Sequence, residues 1–263
     1  MSGNRQEMRF VSHQGTRVYA PENTVLGYEK AAQMGYYALN FAGVRASADG
    51  VMYIMHDKTV DRTTDGTGPI AELTSAEIDR LTVDRQEPYA EYDIRDIPPD
   101  KRRVPTLEQC IRVCLTYGCV PMIRMGISVP GNERVFDKLH RIIRGYGIAD
   151  RMMLSGSTET MLALDSAYPN APKIVFLPDL TAAEAVAHFD AFPFRRKETV
   201  YAMLRSRNLT REGLQTLRDG GYGTYSSNPG DMQNPESTRQ ICRELAANGC
   251  EYVNGERYAS LAD

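Results

Sequence analysis

Short apolar runs alternate with longer amphipathic ones along the whole chain. "RFVSHQ" is apolar and turns polar at its end, as a strand reaching a rim does. In "ENTVLGYEKAAQMG" the residues Val25, Tyr28, Ala31 and Ala32 keep helical spacing, Glu22 or Asn23 can cap, and Gly35 stops the helix. "YALNFAGV" and "VMYIMHD" read as two strands joined by a small polar turn. "TSAEIDRLTV" is a short helix whose Thr74 and Glu77 form a capping box. "PTLEQCIRVCLTYG" repeats the helical pattern, with proline in the first turn and Gly118 at its end. Strand and helix then alternate as "CVPMIRMG" and "ERVFDKLHRIIRGYG", "RMMLSG" and "TETMLALDSAYP", "KIVFLPD" and "TAAEAVAHFDAF". "TVYAML" and "TREGLQTLRDGG" follow, then "YGTYSSN" and "PESTRQICRELAANG", and a closing "CEYVNGE". One long irregular stretch, residues 84–104, is charged and proline-rich and predicts a surface loop.

Strand–helix units joined by short connections predict a parallel sheet. About eight such units in 263 residues, without a glycine-rich nucleotide turn, favour one domain over residues 1–263. Its fold class is α/β, a single (β/α)8 TIM-like barrel with outer helices. Hydrophobic residues make up 42%, enough for a sizeable core. A formal net charge of -3 removes the electrostatic case for a nucleic-acid partner or a membrane surface. No apolar run is long enough to span a bilayer, and the start "MSGNRQEMRF" lacks a signal-peptide core, so a cytoplasmic protein is expected. The five cysteines form no CxxC pair and read as reduced, buried thiols. Oligomeric state is not encoded legibly.

Barrel chemistry is carried at strand ends. Those ends offer His13, Gln14 and Gly15, then Asn40 and Ala42, His56 and Asp57, Arg124 and Gly126. Further on come Ser155, Ser157, Pro178, Asp179, Leu204, Arg205, Ser226, Asn228, Asn254 and Glu256. His13 and His56 make a natural acid/base pair, one taking a proton from a nucleophile and the other giving one to a leaving group. His140 and His188 fall on outer helices and read as packing or surface residues.

A family resemblance rests on ordered motifs. "SHQGTRVYAPENTVLGYEKAAQMG", "ADGVMYIMHDKTVDRTTDGTGPIAELTSAEIDRL" and "VPTLEQC" resemble the glycerophosphodiester phosphodiesterase family. That family shows His-Arg-Gly, Pro-Glu-Asn-Thr, Asp-Gly with His-Asp, Arg-Thr-Thr-Asp-Gly-Thr-Gly and Pro-Thr-Leu-Glu in the same order. "YSSN", Tyr225 to Asn228, stands where the family has Trp-Thr-Val-Asn. The resemblance implies a TIM-like barrel that hydrolyses glycerophosphodiesters to glycerol 3-phosphate and an alcohol. It implies His13 and His56 as the catalytic pair and a small-molecule phosphodiester as the partner. It also implies a divalent cation, often calcium or magnesium, held by a Glu-x-Asp on the second strand and a Glu on the fourth.

This chain departs from that pattern at the metal. The second-strand carboxylates fall on Asn40 and Ala42, or on Phe41 and Gly43 in the other register. Strand alternation favours the first, with Phe41 against the helices and Gly43 a bulge. On the fourth strand Arg124 replaces the Glu and Gly126 a Lys, and Gln14 replaces the Arg that follows the first histidine. Hard cations need oxygen ligands, usually with carboxylates among them. At ~4 Å a guanidinium repels each unit of positive charge by about 4 kcal/mol at an effective dielectric of 20. The expectation is therefore no metal and no other cofactor. Arg124 would anchor phosphate, with Gln14, Asn40 and Glu22 beside it. Bacterial phosphatidylinositol-specific phospholipases C are similar in this respect, with two histidines and an arginine where relatives hold calcium. Asp57 and Arg62 would shape the loop around His56. Arg17 lies outside the family motif and could reach phosphate or solvent. The rival reading is an inactive member that binds a phosphorylated ligand or a protein partner, with Arg124 paired to an acid such as Glu256 or Asp57.

Overall fold

The structure, a computed structural model, describes residues 7–127, 132–227 and 234–256. Asn228, one of the expected strand-end residues, lies outside them. Nine strands and eight α-helices occur among the described residues, in the alternating order the sequence predicts. They are β1 (Arg9–His13), α1 (Val25–Gln33), β2 (Ala38–Ala46), β3 (Met52–Ile54), α2 (Ser75–Ile78), α3 (Leu107–Tyr117), β4 (Val120–Met125) and α4 (Glu133–Gly145). There follow β5 (Met153–Gly156), α5 (Thr158–Asp165), β6 (Lys173–Phe176), α6 (Ala182–Asp190), β7 (Val200–Arg205), α7 (Arg211–Asp219), β8 (Gly223–Ser227), α8 (Pro235–Ala247) and β9 (Tyr252–Gly255). The fold class is α/β, a (β/α)8 barrel in which β1, β2 and β4 through β9 are the barrel strands.

Contacts group the chain into two units, Ser12–Met152 and Met1–Val11 with Met153–Asp263. In the second of these, β5 through β9 are parallel neighbours in sequence order. Strand residues alternate between two buried faces there, so Ile174, Val175, Ala202, Leu204 and Val253 all lie in the core. Lys173 is wholly buried at the start of β6, its Nζ 2.9 Å from Asp165 Oδ1. Burial pulls its ammonium below the usual lysine value, and Asp165 counters it. His188 packs near Phe189 and Phe192 and shares a hydrogen bond with Thr158, so a helix histidine acts as a packing residue here.

In the Ser12–Met152 unit β2 pairs with β4 in parallel and with β3 antiparallel. The sequence reading placed His56 at the end of another barrel strand. Instead β3 is the return arm of a hairpin, because the turn between it and β2 is too short for a parallel crossover. Val44 is level with Ile54 and Ala46 with Met52, so the chain runs back along β2. That return carries His56 toward Gly43, which exchanges backbone hydrogen bonds with Met55. A core of Tyr53, Met55, Val60, Ile70, Ile78, Val83 and Val104 anchors the hairpin and the segment behind it.

The helix ends follow local chemistry, with two corrections. Thr24, not Glu22 or Asn23, caps α1, because its hydroxyl accepts from Gly27 N while Asn23 is drawn elsewhere. Proline 105 precedes the cap of α3 rather than sitting in its first turn; Thr106 and Gln109 form the capping box and Gly118 ends the helix at φ 75°. Residues 84–104 contain only short 3-10 turns, as expected of a surface loop. All five cysteines are free and buried. No helix among the described residues is long and apolar enough to cross a membrane.

Candidate functional site

β1 ends at His13, and the chain then turns abruptly. Gln14 adopts φ 55° and Gly15 φ 85°. A side chain on Gly15 would meet the backbone of Gly27 at 2.9 Å, so only glycine lets this turn lie against α1. Gln14 is buried, and its Oε1 has no hydrogen-bond partner.

Asn23 fastens this turn to β2. At φ 51° its backbone N–H donates to Gln14 O at 2.8 Å and its Nδ2 to Ala42 O at 2.7 Å. Tyr28 OH donates to Asn23 Oδ1 at 2.7 Å, so the amide is held from three sides within a buried site. An asparagine tolerates the left-handed backbone that this geometry needs. The role is structural: Asn23 ties the rim down, and the cap falls to Thr24.

β2 carries the replaced metal positions. Phe41 packs edge-to-face on Tyr28 of α1, with ring centroids 5.1 Å apart, and is wholly buried. Ala42 is level with Arg124 and Val44 with Met125, so Gly43 is skipped as a bulge. Asn40 is buried, and its Oδ1 has no hydrogen-bond partner. Unpartnered buried amide oxygens are uncommon and mark places where a ligand or water can donate.

His56 sits at the head of a charge chain. Its Nδ1 is 2.7 Å from Asp57 Oδ1. Arg62 Nε donates to Asp57 Oδ2 at 2.5 Å, and both terminal nitrogens of Arg62 donate to Glu22, at 2.8 and 3.0 Å. The Arg62–Glu22 fork is bidentate and Glu22 is almost fully buried, which fixes the far end of the chain. Burial pushes the Asp57 carboxyl up, but hydrogen bonds from Arg62 and His56 and their charges prevail and hold it below the usual aspartate value. Asp57 and Arg62 are where the sequence expected loop support. Glu22 gives both oxygens to Arg62.

One residue escaped sequence reasoning. Arg45, near the end of β2, donates through Nη2 to His56 O at 2.7 Å and through Nη1 to Gly126 O. Its Nε reaches Met55 O at 3.4 Å. A side chain on Gly126 would lie 3.0 Å from the Arg45 guanidinium carbon and 2.9 Å from Val44 O. Glycine at 126 thus makes the room that the guanidinium occupies. Burial pulls Arg45 below the usual arginine value; Asp57 opposes this and the like charge of Arg124 adds to it. The available signal was an arginine inside the otherwise small and apolar "FAGVRA".

Two arginines therefore interact electrostatically where the resemblance calls for metal carboxylates. Two carboxylates of this unit, Glu22 and Asp57, are committed to Arg62. This donor set does not fit a hard divalent cation, which needs several oxygen ligands with negative charge among them.

Comparisons with known proteins agree with the motifs. The glycerophosphoryl diester phosphodiesterase family profile matches residues 13–213. Human glycerophosphodiester phosphodiesterase 1 is 35% identical over 113 residues, 43% of this chain and 32% of that protein. The chain thus matches about a third of that relative's length. A crystal structure of glycerophosphodiester phosphodiesterase from Agrobacterium tumefaciens is 26% identical, covers 97% of this chain and 99% of its own, and superposes with a TM-score of 0.73. An Oleispira antarctica phosphodiesterase, solved with the product sn-glycerol-3-phosphate, shares the fold at a TM-score of 0.76 and 19% identity, over 97% of this chain and 95% of that one. With the family profile covering most of its length, the chain belongs to the glycerophosphoryl diester phosphodiesterase family.

Proposed function

We propose that this protein hydrolyses a glycerophosphodiester to glycerol 3-phosphate and an alcohol, by acid–base chemistry without a divalent cation or other cofactor. The observation that carries the reading is the His56–Asp57–Arg62–Glu22 chain, with Arg124 level with Ala42 on the strand beside β2. Asp57 accepts a hydrogen bond from His56 Nδ1–H, which leaves Nε2 with the lone pair, and its carboxylate stabilises the imidazolium that forms. His56 then takes a proton from the attacking water as the water oxygen bonds to phosphorus. The phosphorus–oxygen bond to the leaving group breaks; His13 donates a hydrogen bond to that oxygen, which takes its proton from solvent as His56 gives its own back. Arg124 neutralises the phosphoryl oxygens as a guanidinium fork. The unpartnered oxygens of Gln14 and Asn40 accept hydrogen bonds from substrate hydroxyls.

The test is turnover of glycerophosphocholine, glycerophosphoinositol and an aryl phosphodiester, with and without chelator. Activity should persist in chelator and fall by at least about 100-fold in His13→Ala and in His56→Ala. Activity that appears only with added calcium or magnesium would overturn the metal-free site. Absence of turnover, with phosphate still bound and released by Arg124→Ala, would instead support the inactive, ligand-binding member.

A further inference from the structure

Arg17 lies beside the first histidine. Its Nη2 is 3.3 Å from His13 Nδ1. A guanidinium has only donors, so the ring nitrogen is the acceptor in this contact. Neutral imidazole has one N–H and one lone pair, so accepting at Nδ1 puts the ring proton on Nε2. His56 is the opposite case, because its Nδ1 faces a carboxylate that can only accept. The two histidines are thus held in opposite tautomers by neighbours of opposite charge.

Arg17 is itself held from the long loop. Glu87 Oε1 lies 3.7 Å from its Nη1, and the ring of Tyr89 lies 5.8 Å from its guanidinium carbon. Glu91 N donates to Val18 O at 2.7 Å, which ties the same loop to the same turn. The Arg17 side chain is only 17% exposed.

We propose that Arg17 is a positioning residue that holds His13 as the Nε2–H tautomer, and that residues 87–91 act on the site through it. Its catalytic consequence rests on the proposed function, since Nε2–H then donates a hydrogen bond to the leaving oxygen as charge develops there; the tautomer itself does not depend on that reading.

The test is long-range proton–nitrogen NMR of the histidine rings in the full chain, at a pH where the imidazoles are neutral. In the wild type, His13 should show a proton-bearing Nε2 and a bare Nδ1, with His56 reversed. Arg17→Met should average the two His13 nitrogens and leave His56 unchanged, whereas Arg17→Lys should keep the wild-type pattern. On a turned-over substrate, Arg17→Met should lower kcat about 10-fold with KM within about twofold, and Arg17→Lys should restore it. A proton on His13 Nδ1 in the wild type would overturn the proposal, and so would an unchanged His13 spectrum in Arg17→Met. If no phosphodiester is turned over, the hydrolase reading fails while the ring spectra still decide the role of Arg17. Should Arg17→Met not fold, the wild-type and Arg17→Lys spectra decide it.

Discussion

At the scale of single residues, the site depends on small side chains making room for large charged ones. Gly126 leaves the space in which Arg45 grips the carbonyls of His56 and Gly126 itself. Gly126→Ala should therefore cost about 1–3 kcal/mol in urea unfolding, since backbone and guanidinium must both shift. It should also loosen the His56 end of the hairpin. Asp57 sets a pH dependence whose sign is fixed. Its folded pKa is depressed, so its contribution is fully present above the unfolded aspartate value of about 3.9 and is lost as pH falls through the folded value. Between pH 5 and pH 2 the wild type should lose more unfolding free energy than Asp57→Asn; equal losses would refute the pairing.

At the scale of elements, the fold places each histidine by a different device. The β1 end is fixed by a glycine turn and the Asn23 clasp, and the His56 end by a hairpin that returns along β2. α1 supports the first device through Tyr28. Thr24→Ala removes the cap of α1 and should destabilise the protein by about 1 kcal/mol in chemical denaturation. Much of this was legible. The α2 capping box, Gly118 and the position of α1 all follow from side chains acting within four residues. The short turn before β3 already called for a hairpin; that β3 is not one of the parallel barrel strands was not legible, because an apolar run reads alike in either setting. The sequence offers Glu22 or Asn23 as the cap of α1 for a similar reason: the partners of Asn23, Gln14 and Ala42, lie outside the helix.

At the scale of the whole molecule, the barrel stands on two kinds of interior. Most of it is aliphatic and aromatic, and its stability follows buried area. One exception among the described residues is the Lys173–Asp165 pair, nearly sealed from water. Lys173 Nζ also donates to Ala171 O at 3.1 Å and to Thr199 Oγ1 at 3.2 Å. Lys173→Met would strand a buried carboxylate and should cost about 3–5 kcal/mol, measured by denaturant unfolding. The double change Lys173→Met with Asp165→Leu should recover a large part of that loss.

By itself, the sequence determined the strand–helix alternation, the barrel class and the family, and it offered His13, His56 and Arg124 as candidates. These depend on periodicity and motif order, which are local along the chain. Only the tertiary structure decided that Arg45 reaches the carbonyls of His56 and Gly126, that Glu22 and Asp57 share Arg62, and that Arg17 meets His13 beneath residues 87–91. Several of these contacts join residues tens of positions apart, and each is a matter of which donor points at which acceptor. Spacing in a sequence carries no record of that direction.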